Sequence, residues 1–192
     1  MKPIRTALVV FAFWTVVAGV LYPLLVTGIG AAFFPRAATG SLVARGGKPV
    51  GSRLLAQETT GDAWFHPRPS AVGYNATSSG ASNQGHTSAQ LAKDVAQRTT
   101  DWKKEQSTTE VPPEMVTASG SGLDPEISPR AAELQVARIA AARHLSAADT
   151  ASLGELVRSR EQGPQLGFLG EPRVNVLDLN LALDAAFPGK TP

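Results

Sequence analysis

The sequence contains no cysteine. Disulfides, thiolate metal sites, cysteine nucleophiles and the lipid-modified cysteine of a bacterial lipoprotein are therefore excluded. The chain must hold itself together by packing alone, or by leaning on a partner. Histidine is scarce: His66, His86 and His144 are the three present, and none has a partner at metal-ligand spacing. Aromatic residues make up 6% of the chain and form no stripe with basic residues, so nothing points to nucleic acid. Nucleotide and hydrolase signatures are also missing. There is no GxxxxGK[ST], and Gly120-Ser121-Gly122 is too short to replace it. Ser70, Ser119, Ser121 and Ser128 lack the GxSxG or SxxK surroundings of an activated nucleophile.

Charge is absent from one long stretch. Thr6 to Phe34, 29 residues, holds no Asp, Glu, Lys, Arg or His. As a helix it would reach about 43 Å, more than the ~30 Å hydrocarbon core and longer than the roughly 7–15 residue apolar core of a signal peptide. A retained transmembrane helix is expected, although Gly28, Gly30, Ala31 and Ala32 offer small residues for cleavage. The net charge of +2 is local. Without Lys2 and Arg5, the 18 basic residues fall to 16, equal to the 16 acidic ones. Arg36, Arg45, Lys48 and Arg53 come after the span, so a count of flanking charge does not place the N-terminus inside. A short basic head before a long exported domain favours a cytoplasmic N-terminus and an extracytoplasmic domain. Within the span Thr15, Gly19, Pro23, Thr27 and Ala31 recur every four residues, a small-residue face open to another helix. Pro23 predicts a kink.

The remainder of the chain has the composition of one modest domain. Residues 1–35 are read as cytoplasmic head and transmembrane helix, and 36–192 as a small mixed α/β extracytoplasmic domain, giving an α+β class. Ser41–Val43 and Arg53–Leu55 suggest short strands. The stretch 64–90 is too rich in Pro and Gly for regular structure, yet its Trp64, Phe65, Tyr74 and Arg68 mark an ordered loop. A helix is expected over 90–106 with Leu91, Val95 and Trp102 as anchors, and a strand at Met115–Thr117. A second glycine-rich loop runs to Pro129, where Ser128-Pro129 opens a helix. Ser146 with Asp149 predicts the next helix, with Leu153, Leu156 and Val157 inward and Gly163-Pro164 ending it. Arg173–Val176 suits a strand. Leu177–Phe187 suits a last helix built on Leu181 and Ala185. His144 is expected to cap a helix end and His66 to order its loop. Asp124-Pro125 reads as a turn, or as a carboxylate facing a cation path. Asn75-Ala76-Thr77 matches a glycosylation sequon, relevant only in a eukaryotic secretory route.

Several of these blocks together resemble the C subunit (KdpC) of Kdp potassium-transporting ATPases. They are Tyr22-Pro23-Leu24-Leu25-Val26-Thr27-Gly28 in the span, Gly40-Ser41-Leu42, Val50-Gly51-Ser52 with Gln57, Phe65–Ala71 followed by Tyr74-Asn75, Val116–Pro129, and Gly170–Leu177. The order is that of the family. Two departures are Ala56, where glycine is usual, and Ala81 within Ser79-Gly80-Ala81-Ser82-Asn83, where a Cβ restricts the backbone. The resemblance implies a non-catalytic, single-pass subunit in the bacterial inner membrane, assembled with a channel-like potassium-translocating subunit and a P-type ATPase subunit. It implies a chaperone-like effect on the ATP affinity of the catalytic subunit, with Ser79, Gly80, Ser82, Asn83 and Gln57 as nucleotide-contact candidates. No cofactor is expected on this chain alone, and ATP enters only within the complex. Partner contacts are expected at Gly19, Pro23, Thr27, Gly28, His66, Arg68, Ser119, Gly120, Ser121 and Asp124, the first three on the small-residue face of the span. Two other readings stand beside it: a stand-alone membrane-tethered extracytoplasmic enzyme, and a nucleotide-binding regulator facing the cytoplasm.

Overall fold

The computed structural model describes residues 2–188. The chain forms two compact units that divide between Val50 and Gly51.

The first unit is dominated by one helix long and apolar enough to cross a membrane, Pro3–Phe33, with a mean hydropathy of 2.3. It is built from α1 (Lys2–Val16), a π-helical turn (Val17–Leu21) and α2 (Tyr22–Phe33). The π turn has a local cause. Pro23 has no N–H to give to the Gly19 carbonyl, and its ring crowds that oxygen. The chain widens just before it, and the Tyr22 amide bonds five residues back to Val17 O. The expected irregularity at Pro23 is therefore a bulge in a continuous helix. A short helix α3 (Pro35–Ala38) and a hairpin of β1 (Leu42–Arg45) and β2 (Lys48–Ser52) complete this part. Gly46 and Gly47 turn the hairpin with φ of 57° and 78°, as a tight turn requires. The expected strand at Arg53–Leu55 is instead a turn, with Leu54 56% exposed; Pro49-Val50 takes the second strand.

The second unit is α+β. Its helices are α4 (Ala89–Glu105), α5 (Pro113–Val116), α6 (Pro129–Ala142), α7 (Ala147–Ser159) and α8 (Val176–Ala186). Two short strands, β3 (Glu126–Ile127) and β4 (Val174–Asn175), pair antiparallel with Ile127 opposite Val174. Serine caps open three helices: Ser88, Ser128 and Ser146 accept from the amides of Leu91, Ala131 and Asp149. Asn175 does the same for α8. The core joins Phe65, Met115, Ile127, Ile139, Leu153, Val157, Val174, Leu179 and Leu183.

Three sequence expectations are corrected. Met115-Val116 is helical, because Pro113 sets the first turn of α5. Helix α7 stops at Ser159, before Gly163-Pro164. In α8 the buried face is Leu179, Asn180 and Leu183, while Ala185 is exposed.

Candidate partner interface

Residues 61–64 turn, and 65–67 continue across the domain without a partner strand. Pro67 and Pro69 supply no ladder donors, yet Ala63 and Phe65 are buried, so their backbone groups need partners. Side chains provide them. Asn180 of α8 accepts from Phe65 N and donates to Phe65 O, each at 2.9 Å. Gln135 of α6 accepts from His66 N at 2.8 Å and donates to His66 O at 3.3 Å. Arg138 donates to the carbonyls of Asp62 and Trp64 at 2.6 and 3.0 Å, and Arg143 Nε to Ala63 O at 2.8 Å. Two carboxamides thus act as the missing neighbouring strand.

The guanidinium of Arg143 lies 4.4 Å from the Trp64 ring centre, a cation–π contact. Burial lowers the pKa of both arginines, opposed by Asp62 and Glu105 at Arg138 and by Asp184 at Arg143. His66 Nε2 meets Gly61 O at 2.9 Å, the loop-ordering role read from the sequence. Burial, reinforced by Arg138, pushes the His66 imidazole below its ordinary pKa.

The next stretch, 68–80, lies against 117–126. Ser70 Oγ donates to Gly122 O at 2.6 Å and accepts from the amides of Val72 and Tyr74. Tyr74 OH donates to Arg68 O at 2.9 Å. Backbone bonds join Ala56 N to Leu123 O, Gly80 N to Ser121 O and Ser119 N to Pro69 O. Arg68 Nη1 donates to Asp124 Oδ2 at 2.9 Å, and Asp124 Oδ1 accepts from Glu126 N at 3.0 Å. Both oxygens of Asp124 thus have donors within the chain, which matches the turn reading. Among the described residues no group of three or more His, Asp or Glu side chains could hold a metal ion.

His66, Arg68, Ser119, Gly120, Ser121 and Asp124 therefore belong to one loop layer, far apart in sequence. Gly120 and Ser121 form its exposed tip beside a cleft of about 520 Å³ that Ser79 also lines. Of the nucleotide-contact candidates, Ser79 and Gly80 join this tip through Ser121 O, at 3.0 and 2.8 Å. Ser82 and Asn83 do not line that cleft, and Asn83 turns the chain with φ 53°. Gln57 packs its carboxamide against Gly51 and borders a separate cavity of about 180 Å³ with Trp64 and Asn180. The five candidates are not gathered into one site. Neither Ala56 nor Ala81 has a positive φ, so both departures from glycine are compatible with their backbone.

Beside the layer lies a groove of about 660 Å³ lined by Arg68, Arg130 and Arg173 and by five carboxylates. Each arginine has a carboxylate: Asp124, Glu110 and Glu126 respectively. The Arg130 hydrogen bonds hold the Glu110 carboxyl below its usual range. Glu114 accepts from the Ser128 hydroxyl at 2.5 Å.

Sequence reasoning missed Gln135, Arg138, Arg143 and Asn180, the groups that hold the layer. Their signal was polar residues within the apolar faces of α6 and α8. In the long helix, Gly19 and Gly28 have open space where a Cβ would stand. Pro23 shapes the π turn beside Gly19.

Comparison with known proteins supplies the context. The chain is 52% identical to the potassium-transporting ATPase KdpC subunit of Rhodospirillum rubrum, over 98% of each chain. It is 47% identical to that of Citrifermentans bemidjiense, over 96% of this chain and 97% of the relative. It is 44% identical to that of Koribacter versatilis, over 100% and 98%. The family described as the c chain of K+-transporting ATPases matches residues 4–185, from the apolar helix to the last turn of α8; the chain belongs to this KdpC family.

Proposed function

We propose that this chain is the assembly and regulatory subunit of a potassium-pumping ATPase complex. As a KdpC chain it is a non-catalytic subunit of the Kdp ATPase. The observation that carries the reading is the unbroken similarity from helix to domain: span and domain are retained together, as a tethered accessory subunit needs. Residues 1–35 form the cytoplasmic head and the single span in the bacterial inner membrane, and 36–192 the extracytoplasmic domain.

In this reading the span packs on the channel-like potassium-translocating subunit through Gly19, Pro23, Thr27 and Gly28. The domain covers the external ion entrance with the loop layer of His66, Arg68, Ser119–Ser121 and Asp124. ATP is handled by the P-type ATPase subunit on the other side of the membrane. An effect on ATP affinity is then conformational, not a contact with Ser79, Gly80, Ser82, Asn83 or Gln57. The chain by itself binds no cofactor.

Deletion of the chain tests this. Expected are loss of intact complex in detergent and loss of potassium-dependent ATPase activity. Full assembly and activity without the chain would sink the proposal, and activity of the purified chain alone would favour the tethered enzyme. The absence of cysteine makes the topology directly measurable. A His86→Cys variant should react with a membrane-impermeant maleimide added outside intact cells, since His86 is exposed; protection there would place the domain in the cytoplasm. Asp124→Ala removes the Arg68 ion pair and the Glu126 amide acceptor, and lower complex yield is expected.

A further inference from the structure

Beyond the hairpin, four large apolar side chains are strongly exposed among the described residues: Leu54, Leu166, Phe168 and Leu169. Three of them fall within four consecutive residues, at 84%, 74% and 49% exposure. That clustering sets them apart from the scattered apolar exposure any surface shows.

They form the tip of a ribbon between α7 and β4. At its root Gln162 and Arg173 exchange both backbone bonds, at 2.8 and 3.0 Å. At its tip the amides of Gln165 and Leu169 bond across, and those of Gly167 and Phe168 bond to Pro164 and Gln165 carbonyls. Leu166 takes φ 54°, a left-handed conformation that a leucine adopts only when its surroundings impose it. The finger is thus ordered, with its backbone polar groups engaged and its apolar side chains turned outward. None of the three contributes to the core.

We propose that Gln162–Arg173 is a docking finger that inserts Leu166, Phe168 and Leu169 into an apolar socket on a larger membrane-embedded subunit of the same assembly. The inference rests on the function proposed above and names one contact through which it is exerted.

The occupant is set by area and charge. The three side chains offer about 400 Å² of apolar surface, roughly half of the ~800 Å² per partner of a stable pair. A freely diffusing protein would be held too weakly by the finger alone, and a second copy would set the same flanking carboxylates, Glu161 and Glu171, against each other. A partner kept close by a separate attachment needs less, because tethering raises the effective concentration. A chain with its own span in the partner's membrane has that attachment.

Lipid fits less well. No charged residue lies between Gln162 and Gly170, and Glu161 and Glu171 flank the stretch. Arg160 belongs to the end of α7 and Arg173 is engaged by Glu126. Surface segments that enter bilayers carry Lys or Arg around their apolar face, whereas two carboxylates are repelled by anionic headgroups. The same pair suits a socket with a basic rim.

The test uses the full-length chain co-expressed with the other subunits. A benzophenone-bearing residue replaces Phe168, and membranes are irradiated. The expected product is a covalent adduct with one multi-span subunit, identified by mass spectrometry. The double variant Leu166→Ser/Phe168→Ser should retain about tenfold less partner through detergent purification, with an unchanged unfolding midpoint. Adducts with lipid or with a second copy only, or no adduct while the wild-type chain co-purifies, would overturn the finger alone. A lowered midpoint would assign the tip to domain stability and overturn it too. Failure of the wild-type chain to co-purify would overturn the proposed function, and the finger with it.

Discussion

At Gly122 the backbone takes φ +68°, and a Cβ there would lie 2.6 Å from Val72 Cγ2 and 2.7 Å from the Gly80 carbonyl oxygen. The Val72 contact is with a side chain, but the Gly80 oxygen is backbone, and the bond from Gly80 N to Ser121 O ties that segment to the loop that carries Gly122. Gly122→Ala should therefore destabilise the domain by about 2 kcal/mol or more, read from its thermal unfolding midpoint. His66 carries a pH dependence of definite sign. Its folded pKa lies below the ordinary 6.5 because burial disfavours the imidazolium, helped by the Arg138 charge and opposed by the Gly61 carbonyl and Asp62. The unfolded chain therefore binds more protons between the lowered value and 6.5. Stability should be full above that window and fall as pH drops through it. Denaturant midpoints measured from pH 7.5 downward should show this slope, and His66→Gln should remove it.

At the scale of elements, α6 and α8 matter less as generic apolar packers than as carriers of Gln135, Arg138, Arg143 and Asn180. The loop they hold spans 61–67 and places Arg68 and Ser70 for the second loop. Asn180→Ala would leave Phe65 N and O without partners in a buried place. The expected loss is about 2–4 kcal/mol, seen as a lower unfolding midpoint. Helix α6 ends with a related device. His144 takes φ 52°, with Leu145 N bonded to Ala140 O and His144 N to Ala141 O. This is the glycine-type helix stop made by a histidine, so its role at the helix end is conformational. The caps at Ser128 and Ser146 were legible because a serine at the start of an apolar period has few other uses. The strand at Met115 was misread because one helical turn is too short to show a period. The face of α8 was misread because its buried Asn180 hid among leucines and alanines.

For the whole molecule, the long helix and the folded domain make separable predictions. Apart from its chain neighbours and its own helix backbone, a Cβ added at Gly19 would meet no atom of the described residues within 4 Å. Gly19→Ile should therefore leave domain unfolding unchanged while reducing recovery of the intact complex. An unchanged yield would remove Gly19 from the partner face.

The sequence by itself determined the apolar helix, the α+β class, most helix starts and the family. Those depend on local composition, on period and on motifs that survive as contiguous strings. Only the tertiary structure decided which loops meet, that carboxamides replace a strand at Phe65, and that Leu166–Leu169 project outward. Such pairings join residues far apart in the chain, 42 positions for Ser79 and Ser121 and 115 for Phe65 and Asn180. A one-dimensional pattern holds no record of which buried polar group will satisfy which backbone.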